Sequence, residues 1–250
     1  MLVPRRRRGR ELLDDPAVDP ALAERSLRDV ARSNALFGGR RAVLRAVDAL
    51  LPALGARATL LDVGTGLGDI PAAAQRLAAG RGVTLATVGV EFRPSLAAAS
   101  RVRTDASVCG DVLALPLADG AVDVVTCSQL LHHFTEDDAV RALRELSRVA
   151  RVAVVVGDLR RSWLAASLFW LVSWPLGFHR VTRHDGTLSV LRGFTADELR
   201  AMAERAGVPR PEVRRSLGWR LAATWRVARA TERHLGESRD PGAAPRARAR

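Results

Sequence analysis

The chain has 250 residues, 48% of them hydrophobic, which is enough for one α/β domain with a few added helices. Its two cysteines, Cys109 and Cys127, exclude a disulfide framework and favour free thiols in a reducing cytoplasm. Residues 1–10 are charged and lack the apolar stretch of a signal peptide, so we do not expect a secretion signal.

The formal net charge of +12 raises the question of a nucleic-acid partner. Residues 1–10 contribute five of these charges and residues 236–250 a net two, and neither end shows helical or strand periodicity. We therefore predict that both ends are solvated and disordered and that no nucleic acid is bound. A weak electrostatic hold on RNA or on an anionic membrane is the alternative.

The predicted elements begin with two helices between residues 21 and 51, broken at Phe37-Gly38-Gly39. Short apolar runs then alternate with helical patterns. Strands are predicted over residues 58–63, 83–90, 106–109, 121–127 and 152–156, and helices over residues 70–79, 94–102 and 136–149. Thr195 and Glu198 form a capping box that begins a further helix, and two final strands are predicted over residues 213–217 and 219–227.

This alternation predicts a doubly wound, Rossmann-like α/β fold. We expect a seven-stranded sheet, mostly parallel with an antiparallel edge pair, which binds ligands at the carboxyl ends of its strands. The predicted organisation is a basic flexible N-terminus over residues 1–20, an N-terminal helical cap over 21–55, the α/β domain over 56–235 with an apolar helical cap inserted at 158–190, and a disordered tail over 236–250.

A glycine-rich turn, Gly64-Thr65-Gly66-Leu67-Gly68, follows the first predicted strand and begins a helix. Glycines permit positive φ and let a ligand approach the backbone, although a plain tight turn is the alternative. Because Asp62 and Asp69 flank the turn, a pyrophosphate would be repelled, whereas an ammonium or sulfonium would not. Glu91 ends the second strand, where it can accept hydrogen bonds from ribose hydroxyls, and Asp111 follows the third strand, where it could meet an adenine amino group.

These residues resemble the motifs of class I S-adenosylmethionine-dependent methyltransferases. Residues 60–69 resemble their first motif and residues 88–91 their second. Residues 109–116 and 123–134 are similar to the small-molecule branch that includes ubiquinone and menaquinone C-methyltransferases. The order and spacing of the four motifs make the resemblance specific, and it implies that S-adenosyl-L-methionine is the methyl donor.

The resemblance implies that the glycine turn lies against the methionine part of the donor, that Glu91 holds its ribose and that Asp111 lies near its adenine. The sequence departs from many relatives at Phe92-Arg93, and Phe92 is the candidate for stacking on the adenine. The residues predicted to bind the donor are Asp62, Gly64, Thr65, Gly66, Gly68, Asp69, Glu91, Phe92, Asp111, Val112 and Ser128. We predict no metal site.

Three histidines are candidate catalytic bases, which are needed only if the acceptor loses a proton. His132 and His133 follow the fourth strand at the expected rim of the active site, although either could instead be structural. His184 lies in a polar stretch, where a turn at Asp185-Gly186 is the alternative to a catalytic histidine–carboxylate pair.

Residues 163–178 form an unusually apolar stretch that holds three of the five Trp residues. The stretch is shorter than the roughly 20 residues that span a bilayer, and Pro175 interrupts it. We predict a helix that covers the active site and forms the acceptor pocket. The alternatives are a core or dimer helix and a membrane-surface helix flanked by arginines.

The sequence thus predicts an enzyme that methylates a hydrophobic small-molecule acceptor, such as a phenol, quinone or polyketide, by in-line displacement. The alternatives are an RNA or protein methyltransferase and a non-catalytic protein that binds the same donor. An Asn-Pro-Pro-Tyr motif after the fourth strand would indicate an RNA or protein methyltransferase, but Ser128-Gln129-Leu130-Leu131 stands there instead. Glu91 and the full set of glycines disfavour a non-catalytic protein. We expect a cytoplasmic location, and peripheral membrane contact through residues 163–178 is the alternative.

Overall fold

The computed structural model describes residues 3–15 and 17–227, which contain a seven-stranded sheet. The strands are β1 (Arg57–Val63), β2 (Thr84–Glu91), β3 (Ala106–Cys109), β4 (Val122–Ser128), β5 (Ala150–Leu159), β6 (Glu212–Ser216) and β7 (Arg220–Arg226). Their order is β3-β2-β1-β4-β5-β7-β6; β1 to β5 are parallel, and β7 is antiparallel to both of its neighbours. The predicted fold class and the antiparallel pair at the edge are confirmed.

Eight α-helices connect and cover these strands in the described part of the chain. They are α1 (Pro20–Leu36), α2 (Gly39–Leu50), α3 (Asp69–Ala79), α4 (Pro94–Ser100), α5 (Glu136–Val149), α6 (Trp163–Ser173), α7 (Arg180–Arg192) and α8 (Ala196–Arg205). Local signals set several boundaries: Thr135 caps α5 by accepting a hydrogen bond from the amide of Asp138, and Thr195 and Glu198 form the predicted capping box of α8.

Both faces of the sheet are buried, because neighbouring residues of a strand point to opposite faces. Leu60 packs in an apolar cluster with α2 and α3, whereas Leu61 packs in a second cluster with α5 and α8. The chain crosses from one side of β1 to the other between β3 and β4. This arrangement opens a crevice at the carboxyl ends of the strands, where ligands bind in such sheets.

The N-terminal segment, residues 3–15, is packed against the domain, which contradicts the predicted flexible N-terminus. Arg161 donates a hydrogen bond from Nε to the carbonyl of Pro4 (2.7 Å). The guanidinium of Arg6 donates to the carbonyl of Phe134 (2.9 Å) and lies 4.4 Å from the ring centroid of Phe194. Composition could not reveal these partners, because they lie more than a hundred residues away in the chain. The predicted disordered tail, residues 236–250, lies outside the described residues.

Helix α7 occupies the stretch where a turn at Asp185-Gly186 was the alternative expectation. Gly186 lies inside this helix, where a Cβ atom would stand 2.3 Å from Cε1 of Phe169 in α6. The glycine therefore serves close packing between two helices rather than chain reversal. A single sequence does not distinguish these two uses of glycine.

Helix α6 has the predicted apolar character, and it is apolar on both of its faces. Ala165 and Ala166 are buried against the domain, whereas Trp170 and Leu171 are exposed. Among the described residues, no helix combines the length and the apolar content needed to cross a membrane.

Candidate active site

A cavity of about 700 Å³ lies at the carboxyl ends of β1, β2, β4 and β5. Strand-end residues such as Val63, Glu91 and Leu159 form its floor, and residues of α1, α6, α7 and the N-terminal segment form its walls. The cavity thus lies at the edge of the sheet that the fold predicts for ligands, beneath the predicted N-terminal and apolar caps.

The glycine turn requires glycine at three positions. Gly64, Gly66 and Gly68 have φ values of 71°, 55° and 75°, which other residues rarely adopt. A Cβ atom at Gly64 would also lie 3.0 Å from Cδ2 of Leu130. Gly64 and Gly66 line the cavity, and Gly68 is the residue that precedes α3.

Glu91 ties the end of β2 to this turn. Its Oε2 accepts a hydrogen bond from the amide of Gly66 (2.9 Å), and its Oε1 accepts one from the amide of Phe92 (3.0 Å). Burial raises the pKa of Glu91, and the hydrogen bond from the amide of Gly66 opposes this rise. The carboxylate lines the cavity and retains lone pairs that can accept from a ligand.

The two acids that flank the turn lie beneath it rather than on the cavity wall. Burial raises the pKa of Asp62 to about 7, against an opposing hydrogen bond from Oγ1 of Thr126 to Oδ1 of Asp62 (2.6 Å). Burial also raises the pKa of Asp69. Its Oδ2 is buried and has no hydrogen-bond partner among the described residues. Neither carboxyl group lines the cavity, so neither contacts a ligand bound there.

The structure divides the sequence-predicted residues into two groups. Those that line the cavity are Gly64, Gly66, Glu91, Phe92, Asp111, Val112, His132 and His133. Those that do not line it are Asp62, Thr65, Gly68, Asp69, Ser128 and His184. The side chain of His184 is 55% exposed, and its Nδ1 lies 2.8 Å from Oδ1 of Asp185.

The other end of the cavity carries two histidines, each held by a carboxylate. Nδ1 of His132 lies 2.7 Å from Oδ1 of Asp158, and Nδ1 of His133 lies 2.9 Å from Oδ1 of Asp14. Burial alone would raise the pKa of both carboxyls. The neighbouring histidines outweigh burial and hold the pKa of Asp14 and of Asp158 below its usual range. With its proton on Nδ1, each imidazole presents Nε2 as an acceptor.

Glu11 lies between the two histidines, with its carboxylate oxygens 3.7 Å from each Nε2. The ligand atoms of Glu11, His132 and His133 lie within 4.8 Å of one another, a spacing that could hold a metal ion. However, Nη1 of Arg192 lies 3.4 Å from Oε1 of Glu11 and already places a positive charge there. We therefore interpret the group as a charge-balanced acid–base cluster.

Sequence reasoning missed Glu11, Asp14, Arg192 and Arg220, all of which line the cavity. Glu11 and Asp14 directly follow the arginine run, within the segment that the sequence predicts to be flexible. The available signal was Leu12-Leu13, an apolar pair enclosed by acids, which is unusual in a solvated tail. No local pattern distinguishes Arg192 or Arg220 from the other arginines.

The "Methyltransferase domain" family model matches residues 61–155. The sheet order, the glycine turn and Glu91 at the end of β2 agree with this match. Together they give residues 61–155 the features of a class I S-adenosylmethionine-dependent methyltransferase domain. The positive-φ turn and the free lone pairs of Glu91 at the cavity fit the cationic nucleoside that such methyltransferases use as methyl donor.

Within this class, the chain is similar to demethylmenaquinone methyltransferases. It is 40% identical over 103 residues to the enzyme of a Roseiflexus species, a match that covers 40% of this chain and 41% of the relative. It is 37% identical over 111 residues to the enzyme of Thermus thermophilus, a match that covers 42% and 47%. The match thus spans less than half the length of these curated relatives.

Solved structures share the fold over a larger part of the chain. An S-adenosylmethionine-dependent methyltransferase from Aquifex aeolicus superposes with a TM-score of 0.57 at 16% identity, covering 84% of this chain and 99% of the other. Human N-acetylserotonin methyltransferase, solved in complex with S-adenosylmethionine, gives 0.61 at 15% identity, covering 83% and 56%. At these identities the likeness establishes the fold.

Proposed function

We propose that this chain transfers a methyl group from S-adenosylmethionine to a hydrophobic small-molecule acceptor. One observation carries the proposal: a cavity of about 700 Å³ has residues predicted to bind the donor at one end and a histidine–carboxylate cluster at the other. The volume lies within the usual range for small-molecule sites, which is about 300–1,000 Å³.

At the donor end, Gly64 and Gly66 offer exposed backbone to the methionine part, and Glu91 offers its carboxylate to the ribose. Asp111 and Phe92 line the same cavity, as expected for contacts with the adenine. The bound donor supplies a methyl group on a positively charged sulfur. Because this charge disperses during in-line displacement, a pocket that excludes water favours the reaction.

At the acceptor end, His133 is the proposed general base. Its ring lines the cavity, and Asp14 at Nδ1 fixes the orientation and the tautomer that leaves Nε2 able to accept a proton. His132 is 2% exposed and bound to Asp158, so we assign it a positioning role in the same cluster. His184 does not line the cavity and has no role in this mechanism.

The walls between the two ends favour a hydrophobic acceptor. Leu27, Val30 and Phe37 of the α1 region and Leu168 and Phe169 of α6 line the cavity. A flat, apolar ring with a hydroxyl group matches such walls together with one base. The names of the two curated relatives support an aromatic or quinone-like acceptor.

An RNA or protein acceptor fits the arrangement less well. The N-terminal segment lies across the cavity, and the guanidiniums of Arg6 and Arg161 bind carbonyls of the chain itself. They are therefore not free to contact phosphates. A non-catalytic donor-binding protein would have no need for the two histidine–carboxylate pairs at the cavity.

The test is transfer of a labelled methyl group from S-adenosylmethionine to a panel of hydroxylated aromatic compounds, with and without alkyl chains. We expect product with an alkylated phenol or quinol, and none with RNA or protein as acceptor. His133→Asn should lower kcat about 100-fold or more, the usual contribution of a general base, with donor affinity unchanged. His184→Asn is the matched control and should leave kcat unchanged.

Donor binding without transfer to any aromatic acceptor, or transfer to RNA that ribonuclease abolishes, would contradict the proposal. Equal losses of kcat in His133→Asn and His184→Asn would remove the assigned base and leave the donor site standing.

We also propose that α6 contacts an anionic membrane surface from which the acceptor is drawn. Trp170, Leu171 and Trp174 are 49%, 61% and 55% exposed and form one outward stripe of the helix. Arg160, Arg180 and Arg183 flank the helix, and no Asp or Glu lies between residues 159 and 184, so this surface complements anionic headgroups. The guanidinium of Arg183 lies 3.6 Å from the ring centroid of Trp174, close to the same stripe.

Leu168 supports a path from this surface to the active site. It is 41% exposed, and it also lines the cavity, so it borders both the outer face of α6 and the proposed acceptor pocket. A lipophilic acceptor could thus pass from the bilayer surface into the cavity beside this residue without crossing bulk water.

A further inference from the structure

Arg220 is a buried cation on the wall of the cavity. It is the first residue of β7, which is antiparallel to β5 and therefore starts at the edge where β5 ends, with Arg220 paired to Leu159. Its side chain lines the cavity although the residue is only 5% exposed. A guanidinium in this position is charged at neutral pH, since burial lowers the pKa of Arg220 only to about 10.

This cation lacks the partners that the other buried arginines have. Arg161 binds both carboxylate oxygens of Glu198 at 3.0 and 2.7 Å, and Arg192 binds the carbonyl of His132 at 3.1 Å. By contrast, the Nε of Arg220 is buried without a hydrogen-bond partner among the described residues. A buried charge without a partner is costly, which indicates that a ligand supplies one.

Asp158 is the acid that attracts Arg220, but its carboxylate oxygens accept hydrogen bonds from other groups. The Oδ1 of Asp158 accepts from the amide of Leu159 (2.7 Å) and lies 2.7 Å from Nδ1 of His132. Its Oδ2 accepts from the amide of His132 (3.2 Å). The carboxylate is therefore committed to the histidine cluster.

The N-terminus of α2 meets Arg220 at the same place. Gly38, with φ 80°, precedes the helix and gives no side-chain cap, and the helix ladder starts with the bond from the amide of Ala42 to the carbonyl of Gly38 (2.9 Å). The amides before Ala42 thus remain outside the ladder. A Cβ atom at Gly39 would lie 3.2 Å from Nε of Arg220, so the helix end and the guanidinium are adjacent.

Asp158 borders the same gap as Gly39 and Arg220, but its oxygens are committed to the histidine cluster, so the two positive groups still favour an anion. A helix N-terminus carries a partial positive charge and free amides, and a guanidinium binds planar two-oxygen anions. We propose that Arg220, with the N-terminus of α2 beside it, forms a carboxylate-binding site on the cavity wall. The proposal rests on the proposed function for its ligands, since the carboxylate belongs either to the amino-acid part of the donor or to the acceptor.

Calorimetric titration of the full chain with two adenosine compounds tests whether Arg220 binds the carboxylate of the donor. S-adenosylhomocysteine carries the amino-acid carboxylate, and 5′-methylthioadenosine lacks it. If the site holds the donor, Arg220→Met weakens S-adenosylhomocysteine binding about tenfold or more and leaves 5′-methylthioadenosine unchanged, and Arg220→Lys restores part of the loss. Arg45→Met, which replaces an exposed cation of α2 beyond its first turn, is the control and should leave both unchanged.

Titration with 4-hydroxybenzoate and the uncharged 4-hydroxybenzyl alcohol, with and without S-adenosylhomocysteine, tests whether Arg220 binds a carboxylate of the acceptor. If the site holds the acceptor, the benzoate binds the wild-type chain about tenfold more tightly than the alcohol, and Arg220→Met removes this preference. The unfolding temperature of Arg220→Met should equal or exceed that of the wild type, because an unpaired buried charge has been removed.

Three results would overturn the site. Arg220→Met could leave the affinities for both carboxylates unchanged. It could weaken the uncharged probes as much as the carboxylates. It could also lower the unfolding temperature, as for a structural arginine. Failure of the proposed function would give a different result. The wild-type protein would then bind neither adenosine compound, and the benzoate titration would still show whether Arg220 binds a carboxylate.

Discussion

Glu91 shows at the scale of one residue how a strand end becomes a binding group. Its carboxylate orders the glycine turn through the amide of Gly66 and still faces the cavity. We expect Glu91→Ala to weaken binding of S-adenosylhomocysteine by roughly 1–3 kcal/mol, the value of a charged hydrogen-bonding partner. Calorimetric titration measures this, with Glu212→Ala on the exposed strand β6 as the control. An unaltered dissociation constant would place the ribose elsewhere.

Asp62 gives a prediction about pH and stability. Since burial raises its pKa from 3.8 to about 7, the native state holds this proton more tightly than the unfolded chain does. The stabilisation is complete below the unfolded pKa and is lost as the pH rises through the folded pKa. The loss at Asp62 amounts to at most on the order of 4 kcal/mol.

The isosteric Asp62→Asn variant removes this titration. The free energy of unfolding of Asp62→Asn should therefore increase relative to that of the wild type as the pH rises from about 4 to about 8. Denaturant unfolding of both proteins across this range measures the difference. A difference that stays constant with pH would show that Asp62 titrates normally.

At the scale of elements, the contact between α6 and α7 depends on the missing side chain of Gly186. Alanine in an open helix position would stabilise by about 1 kcal/mol. Here its Cβ would lie 2.3 Å from Cε1 of Phe169, and overpacking costs about 1–3 kcal/mol. We expect Gly186→Ala to lower the free energy of unfolding, as measured by denaturant titration.

Two further variants isolate the cause of this loss. Gly55→Ala is the control, because its Cβ would meet nothing closer than the carbonyl of Arg57 at 3.7 Å. In a Phe169→Leu background, Gly186→Ala should cost less, because the clashing ring is gone. The same cost in both backgrounds would contradict the packing explanation.

At the scale of the whole molecule, the exposed stripe of α6 predicts binding to anionic vesicles. We expect the chain to co-sediment with vesicles of phosphatidylcholine mixed with phosphatidylglycerol more than with phosphatidylcholine alone, and less at high salt. Replacing Trp170 and Leu171 with Glu should weaken binding about tenfold or more, through lost apolar burial and added repulsion. Val102→Glu, at a residue 88% exposed on another part of the surface, is the matched control. Equal binding by all three proteins would remove the membrane contact.

The sheet and the proposed donor site were predictable because their signals are local. The strands β1 and β4 are short apolar runs, and the turn between β1 and α3 has glycine wherever φ is positive. The acid at the end of β2 faces the cavity as expected. Such features depend on residues a few positions apart, and the parallel order then follows from the handedness of the crossovers.

The acceptor end was predictable only in part. His132 and His133 follow a predicted strand, so their place at the rim could be inferred. Their partners could not, because Asp14 lies 119 residues from His133, and no periodicity links them. The arginines of the N-terminal segment had the composition of a solvated tail, and only their carbonyl partners show that they are packed.

The order of residues alone determined the Rossmann-like sheet and the glycine turn at the carboxyl end of β1, because backbone geometry and hydrophobic period act over short distances. Tertiary structure decided which charges are buried together: Glu11 with Arg192, 181 residues apart, and Arg220 beside the first turn of α2. The physical reason is that the energy of a charge depends on burial and on its neighbours in space, which the order of residues does not specify locally.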